Sequence, residues 1–227
     1  MKSILALPAL VSTVAVQAAS LAFWDFNADT LTPSTGTGTL APIGGVASFF
    51  GFGSGPSDPN IPPDRNWGFS NLPDQGADSG TAGFEGAVST AGYQSIQLSF
   101  DIKAQFSASK YYEVLYSVDS GGTWSSAGTF GVASEDVWQT ETFDLSSLNP
   151  AVNDNAGFQF QVVAVFKPGT SDYAGFSDTA ASYGKFGPVT DAVQVSGLLI
   201  PEPESWALLS LCAIGGIGYR LRRRLQA

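Results

Sequence analysis

Apolar and polar residues alternate along most of the middle of the chain. From Tyr93 to Lys103, Ile96, Leu98, Phe100 and Ile102 share one parity, and Gln97, Ser99, Asp101 and Lys103 take the other. A period of two is that of a strand with one wet face. Tyr112, Val114, Tyr116 and Val118 repeat it, as do Phe158, Phe160, Val162, Ala164 and Phe166 opposite Gln159 and Gln161. Further strands are expected at 21–26, 46–52, 137–145 and 189–196. No sustained helical period occurs between the two ends of the chain, and the 26 glycines and 13 prolines fall mostly between the runs as turns. Strands that alternate, in place of continuous apolar runs, predict an all-β fold: an antiparallel β-sandwich, jelly-roll-like, over residues 20–199.

Residues 36–92 break the pattern. They are rich in Gly, Pro, Asp and Asn, with Pro56, Pro59, Pro62 and Pro63 close together. Long loops at one end of the sandwich are expected there, and ordered loops commonly carry binding surfaces. Trp67 and Phe69 in this region are therefore the candidate ligand-binding residues, because an exposed ring can stack on the apolar face of a sugar. Trp24 is expected in the core.

The two ends are hydrophobic. Residues 1–19 carry one early charge at Lys2, an apolar run from Ile4 to Val16, and the small residues Ala18 and Ala19 where a signal peptidase could cut. They predict a signal helix that hands the chain to the Sec machinery. At the other end, in residues 200–227, Pro201-Glu202-Pro203 can continue neither helix nor strand. An uncharged segment from Trp206 to Tyr219 follows, and Arg220, Arg222, Arg223 and Arg224 close the chain. Fourteen helical residues span about 21 Å, short of the ~30 Å hydrocarbon core. The segment predicts a single short transmembrane helix whose arginines stay in the cytoplasm, leaving the β domain outside the inner membrane.

This order of parts resembles the PEP-CTERM sorting signal of Gram-negative bacteria: Pro201, Glu202 and Pro203, then Trp206 and an apolar run with Gly215, Gly216 and Gly218, then the arginine cluster. The resemblance covers about the last 27 residues. It implies a transient anchor in the inner membrane, cleavage near the Pro-Glu-Pro by an exosortase, and release to the cell surface or extracellular matrix alongside exopolysaccharide. The stretch from Asp144 through Asn149 and Pro150 to Asn155, and the strand Asp191 to Gly197, look like segments of extracellular jelly-roll modules that carry such tails.

Charge and composition narrow the chemistry. The formal net charge is -10, and between residues 20 and 200 the only basic residues are Arg65, Lys103, Lys110, Lys167 and Lys185. Such a domain repels phosphate backbones, so no nucleic-acid partner is expected. There is no histidine, which excludes Ser-His-Asp catalysis and ordinary zinc sites. Cys212 is the only cysteine, so the domain has no disulfide. No cofactor is expected. Calcium is the one metal the composition permits, with Asp154 and its flanking asparagines, or Asp25 near Asp191, as sources of oxygen ligands.

Ser117, Asp119, Gly121, Thr123 and Trp124 match the Asp-box pattern S-x-D-x-G-x-T-W, which is expected here as a hairpin element and not as a site. Glycoside hydrolysis needs two carboxylates facing each other. Glu85, Glu113, Glu135 and Glu141 are the domain's glutamates, and nothing in the sequence pairs them. The expectation is thus a non-enzymatic surface or matrix protein associated with exopolysaccharide, able to bind glycan. A carbohydrate-active hydrolase and a purely structural or adhesive coat protein are the alternatives.

Overall fold

The computed structural model describes residues 18–59, 62–105 and 107–201. Its strands are β1 (Ala19–Trp24), β2 (Thr35–Gly36), β3 (Thr39–Ile43), β4 (Ala47–Phe52), β5 (Arg65–Ser70) and β6 (Gly83–Ala87), then the long β7 (Tyr93–Lys103). After these come β8 (Tyr111–Ser117), β9 (Ser125–Gly131), β10 (Gln139–Asp144), one helical turn α1 (Leu145–Leu148), β11 (Gln159–Ala164) and β12 (Phe186–Leu199).

They form two antiparallel sheets. One has seven strands in the order β10-β7-β12-β1-β2, with β5 also paired to β12 and β4 outside β5. The other has five, ordered β3-β6-β11-β8-β9. The fourteen residues of β12 make the larger sheet possible. One edge of this strand runs along β7, while the other pairs first with β5, through Val189 to Gly68, and then with β1, through Val193 to Trp24.

The inner faces are those set by the alternation. Ile96, Leu98, Phe100 and Ile102 of β7 are buried in one core cluster with Phe160 and Val162 of β11 and with Trp67 and Phe69 of β5. Phe84 of β6 stands at the centre. Its ring is stacked 5.6 Å from Phe69, and it meets Phe100 and Phe160 edge-on at 6.3 and 6.4 Å, so it joins rings from both sheets. Complete burial of one such side chain contributes roughly 1.5–3 kcal/mol.

The expectation of long loops over residues 36–92 is corrected: β3, β5 and β6 lie there as well as β4, the strand expected at 46–52. The glycines that disguised these strands make room for rings. A Cβ on Gly68 would come within 2.4 Å of Phe49 Cζ, and one on Gly86 within 2.3 Å of Phe160 Cζ. With that correction goes the candidate binding pair. Trp67 and Phe69 are each 1% exposed and pack on each other at 4.4 Å, so neither has an exposed ring for stacking on a sugar.

Among the described residues, no helix is long and apolar enough to cross a membrane. The expected signal helix, apart from Ala18 and Ala19, lies outside the described residues, and so do the expected transmembrane helix and Glu202, Pro203, Trp206, Arg220, Arg222, Arg223 and Arg224. Pro201 is described and exposed, two residues beyond the end of β12.

Candidate functional site

Tyr112 and Val114 of β8 point into the core, which turns Tyr111 and Glu113 to the outer face of the five-stranded sheet. On β9 their partners are Gly131 and Thr129. On the other side Glu113 faces Val163 of β11, and the chain then leaves that strand as a loop, Val165 to Thr170, that rises beside them. Together these residues line a hollow of about 510 Å³.

The Tyr111 ring lies close against Gly131, where a Cβ would come within 3.3 Å of Cε1. Its hydroxyl donates to Asp178 Oδ1 at 2.6 Å, and Lys167 Nζ donates to Asp178 Oδ2 at 2.9 Å. Lys110 Nζ stands 3.7 Å from the same carboxylate. These donors, the Tyr111 hydroxyl first, hold the Asp178 carboxyl down at about 2. Reciprocally, the hydrogen bond to Asp178 and then burial push the Tyr111 phenol up to about 12.

The loop is fastened on its far side. Phe166 donates its amide to Ser79 Oγ at 3.0 Å, and its ring meets Tyr173 at 4.8 Å, with Tyr183 stacked behind at another 4.8 Å. Glu113 has no hydrogen-bond or ion-pair partner among the described residues. The hollow therefore offers a rigid aromatic ring, an uncommitted carboxylate acceptor, an ammonium donor and the hydroxyl of Thr129. It holds one carboxylate, Glu113, among its lining residues, whereas acid–base hydrolysis of a glycoside uses two. Glu85 lies on the same face two strands away, engaged with Gln161 Nε2 at 2.7 Å.

The Asp-box residues form the hairpin between β8 and β9. Asp119 Oδ1 accepts from the Thr123 amide at 2.8 Å and from Ser117 Oγ at 2.7 Å, while Oδ2 accepts from Thr123 Oγ1 at 2.7 Å. The Thr123 amide leads in holding the Asp119 carboxyl down at about 2. Gly121 sits at φ +83°, with Trp124 packed back beside it. The side-chain oxygens of Ser117, Asp119 and Thr123 are thus engaged within the hairpin itself.

A second polar cluster lies on the outer face of the seven-stranded sheet, where the chain after β4 folds over Asp101 and Asp191, both fully buried. Asp101 accepts from the Ser57 amide at 2.6 Å and from Thr140 Oγ1 at 2.6 Å, and Asp191 from the Gly55 amide at 2.7 Å. Burial, with the charges of Asp58 and Asp101 adding, pushes the Asp191 carboxyl up to about 8. Among the described residues no three Asp, Glu, His or Cys side chains are arranged to hold a metal. The carboxylates considered for calcium are engaged with backbone: Asp25 accepts the Asn27 amide of its own turn, and Asp154 accepts the Gly92 amide of a distant one at 2.7 Å. Asn155 bridges to the carbonyls of Val118 and Ala151.

The sequence analysis did not single out Tyr111, Lys167 or Asp178. Tyr111 stands one residue before an alternating run, but its partner Asp178 is 67 residues away, and no local pattern joins them.

No protein-family model matches the chain, and no curated protein matches it. Among solved structures, the chain is similar to the CBM22-1 and GH10 modules of endo-1,4-beta-D-xylanase 10B of Clostridium thermocellum complexed with xylohexaose. The identity is 10% and the TM-score 0.43, over 80% of this chain and 28% of that one. It is also similar to the K1 cleaved adhesin domain of Lys-gingipain of Porphyromonas gingivalis, at 12% identity and TM-score 0.38, over 70% and 98% of the chains. A family 11 carbohydrate-binding module of Clostridium thermocellum in complex with a beta-1,3-1,4-mixed-linked tetrasaccharide aligns at 14% identity and TM-score 0.35, over 81% and 100%. None of these scores reaches 0.5, so the meaning of the hollow rests on its own residues.

Proposed function

We propose that this chain is an exported, exosortase-processed protein of the cell surface or matrix, whose jelly-roll domain binds glycan without catalysis in the hollow at Tyr111 and Glu113. The observation that supports binding is the company Tyr111 keeps. A ring fixed at both its hydroxyl and its face loses little freedom on contact with a sugar, and Glu113 beside it has acceptor capacity to spare. Address comes from the ends of the chain: a signal helix for the Sec machinery and signal peptidase, and a tail that anchors in the inner membrane until an exosortase cuts near Pro201.

Charge selects the kind of glycan. Eighteen of the twenty acidic residues lie in residues 18–201, with only five cations, and each cation already has a carboxylate partner. A polyanionic sugar is repelled, and an uncharged one is accepted. The test is affinity electrophoresis of the full chain, in mild detergent, through gels holding barley β-glucan, xylan, galactomannan or dextran. At least one polymer should retard the protein, and Tyr111→Ala should weaken that retardation about tenfold or more, in line with ~1.4 kcal/mol per decade. Retardation by none of the four, with retention on alginate or another polyanion run beside them, would overturn the reading.

A further inference from the structure

We infer a second glycan site on the opposite side of the sandwich, on the outer face of the seven-stranded sheet, so that one domain can tie two neutral polysaccharide strands together. The inference extends the glycan reading of the first hollow and rests on different residues.

A single row of paired residues crosses this face. Phe49 of β4 pairs with Gly68 of β5, Gly68 with Val189 of β12, and Val189 with Lys103 of β7. Trp138, directly before β10, continues the row, with its ring 5.3 Å from Lys103 Nζ. Four inter-strand steps of about 4.8 Å separate the strand of Phe49 from that of Trp138, about 19 Å in all. That span suits a run of sugar units better than one.

Phe186, which pairs with Ser70 on the same face, is 53% exposed, and Phe49 is 48% exposed. The two rings wall a hollow of about 150 Å³ that is floored by Val189 and edged by Lys103, Gln105 and Ser107. Rings for stacking therefore alternate with donors and acceptors for hydroxyls, which is the chemistry of a pyranose and not of an apolar protein core. Lys103 is paired with Asp136 at 3.0 Å, so the site presents no net positive charge and an uncharged polymer fits it. Because the first hollow faces outward from the other sheet, a polymer on one face leaves the other face open. Two strands held by one protein form a cross-link.

The experiment uses beads coated with whichever of the four polymers retards the full chain. The wild type should clump them. Phe49→Ala combined with Trp138→Ala should keep retardation in the gel and lower the clumping titre at least tenfold, and Tyr111→Ala, which weakens retardation, should lower the titre as far through the other face. Undiminished clumping by the Phe49/Trp138 variant overturns the second site and leaves the first. Retardation that survives Tyr111→Ala together with Glu113→Gln, yet is lost with Phe49 and Trp138, upholds the second site and overturns the first. No retardation by any polymer overturns both. Sedimentation of the ligand-free protein completes the test: a Phe49-dependent dimer would assign this face to a second copy of the chain and overturn the glycan site. Melting curves of each variant verify that it is folded.

Discussion

The carboxylate of Asp191 accepts the amide of Gly55 at 2.7 Å across 136 residues of sequence, and it does so fully buried, with Asp101 and Asp58 close by. A carboxyl in this setting favours its neutral form. Its folded value of about 8 stands above its ordinary 3.8, so folding takes up a proton over that interval. The stability it contributes is complete below about pH 3.8 and is lost as pH rises through about 8. The melting temperature should therefore fall steadily from pH 4 to pH 9, and Asp191→Asn should flatten that slope. Asp119 and Asp178, both held down at about 2, act in the opposite sense and only as pH falls from 3.8 toward 2, so the two windows separate. An unchanged slope in the Asn variant would remove Asp191 as its source.

Asp178 ties Tyr111, Lys167 and Lys110 into one cluster beside the first hollow. Replacing it with Asn weakens the hydrogen bond that chiefly keeps the Tyr111 phenol up at about 12 and removes the charge that adds to it. In an ultraviolet difference titration, one tyrosine should ionise closer to the ordinary 10 in Asp178→Asn than in the wild type, with the other tyrosines unmoved. Identical titrations would remove the Asp178 carboxylate as the source of the Tyr111 shift.

Trp67 touches Phe26, Phe69 and Phe84 at 5.6, 4.4 and 5.5 Å between centroids. Trp67→Ala should destabilise the domain by about 3–5 kcal/mol, as expected of a large buried ring, without altering polymer retardation by the molecules that remain folded. Selective loss of retardation at unchanged stability would restore it as a ligand contact.

Some parts of the molecule are legible in the sequence and others are not. The strand from Tyr93 to Lys103 was, end to end, because its outer face is polar at each alternate position. The strand holding Trp67 was not, because Gly68 stands where a polar residue would mark the outer face, and the ring that fills the gap comes from Phe49 on another strand. Residues 83–87 are obscured on the inner face, where Gly86 stands in place of an apolar side chain and the Phe160 ring fills the space. Sequence periodicity reports a strand's own side chains and is silent about a ring lent by a neighbour. The Asp-box was legible for the opposite reason: all its partners lie within seven residues of one another. The first hollow was hidden because β8, β9 and two distant loops each supply part of it.

Asp119 caps its hairpin through Thr123 and Ser117. Asp119→Ala should release the Thr123 amide, which should exchange its hydrogen faster by an order of magnitude or more, while amides of β7 keep their protection. Equal protection of Thr123 in both proteins would show the hairpin to be held by its backbone alone.

Gly68 offers a test of the second face that leaves its aromatic residues in place. An added methyl would lie 2.4 Å from Phe49 Cζ, a contact that real atoms do not tolerate, so one of the two must move. Gly68 sits in extended backbone that alanine adopts readily, whereas the Phe49 ring is half-exposed and free to swing outward. The ring gives way. Stability should stay within about 0.5 kcal/mol of the wild type, because little buried area changes and no hydrogen bond is lost. Bead clumping should nevertheless fall as it does for Phe49→Ala, since the ring no longer lies over the row that leads to Lys103. Normal clumping by Gly68→Ala, with Phe49→Ala deficient, would mean that Phe49 acts from a position other than the one it holds over Gly68.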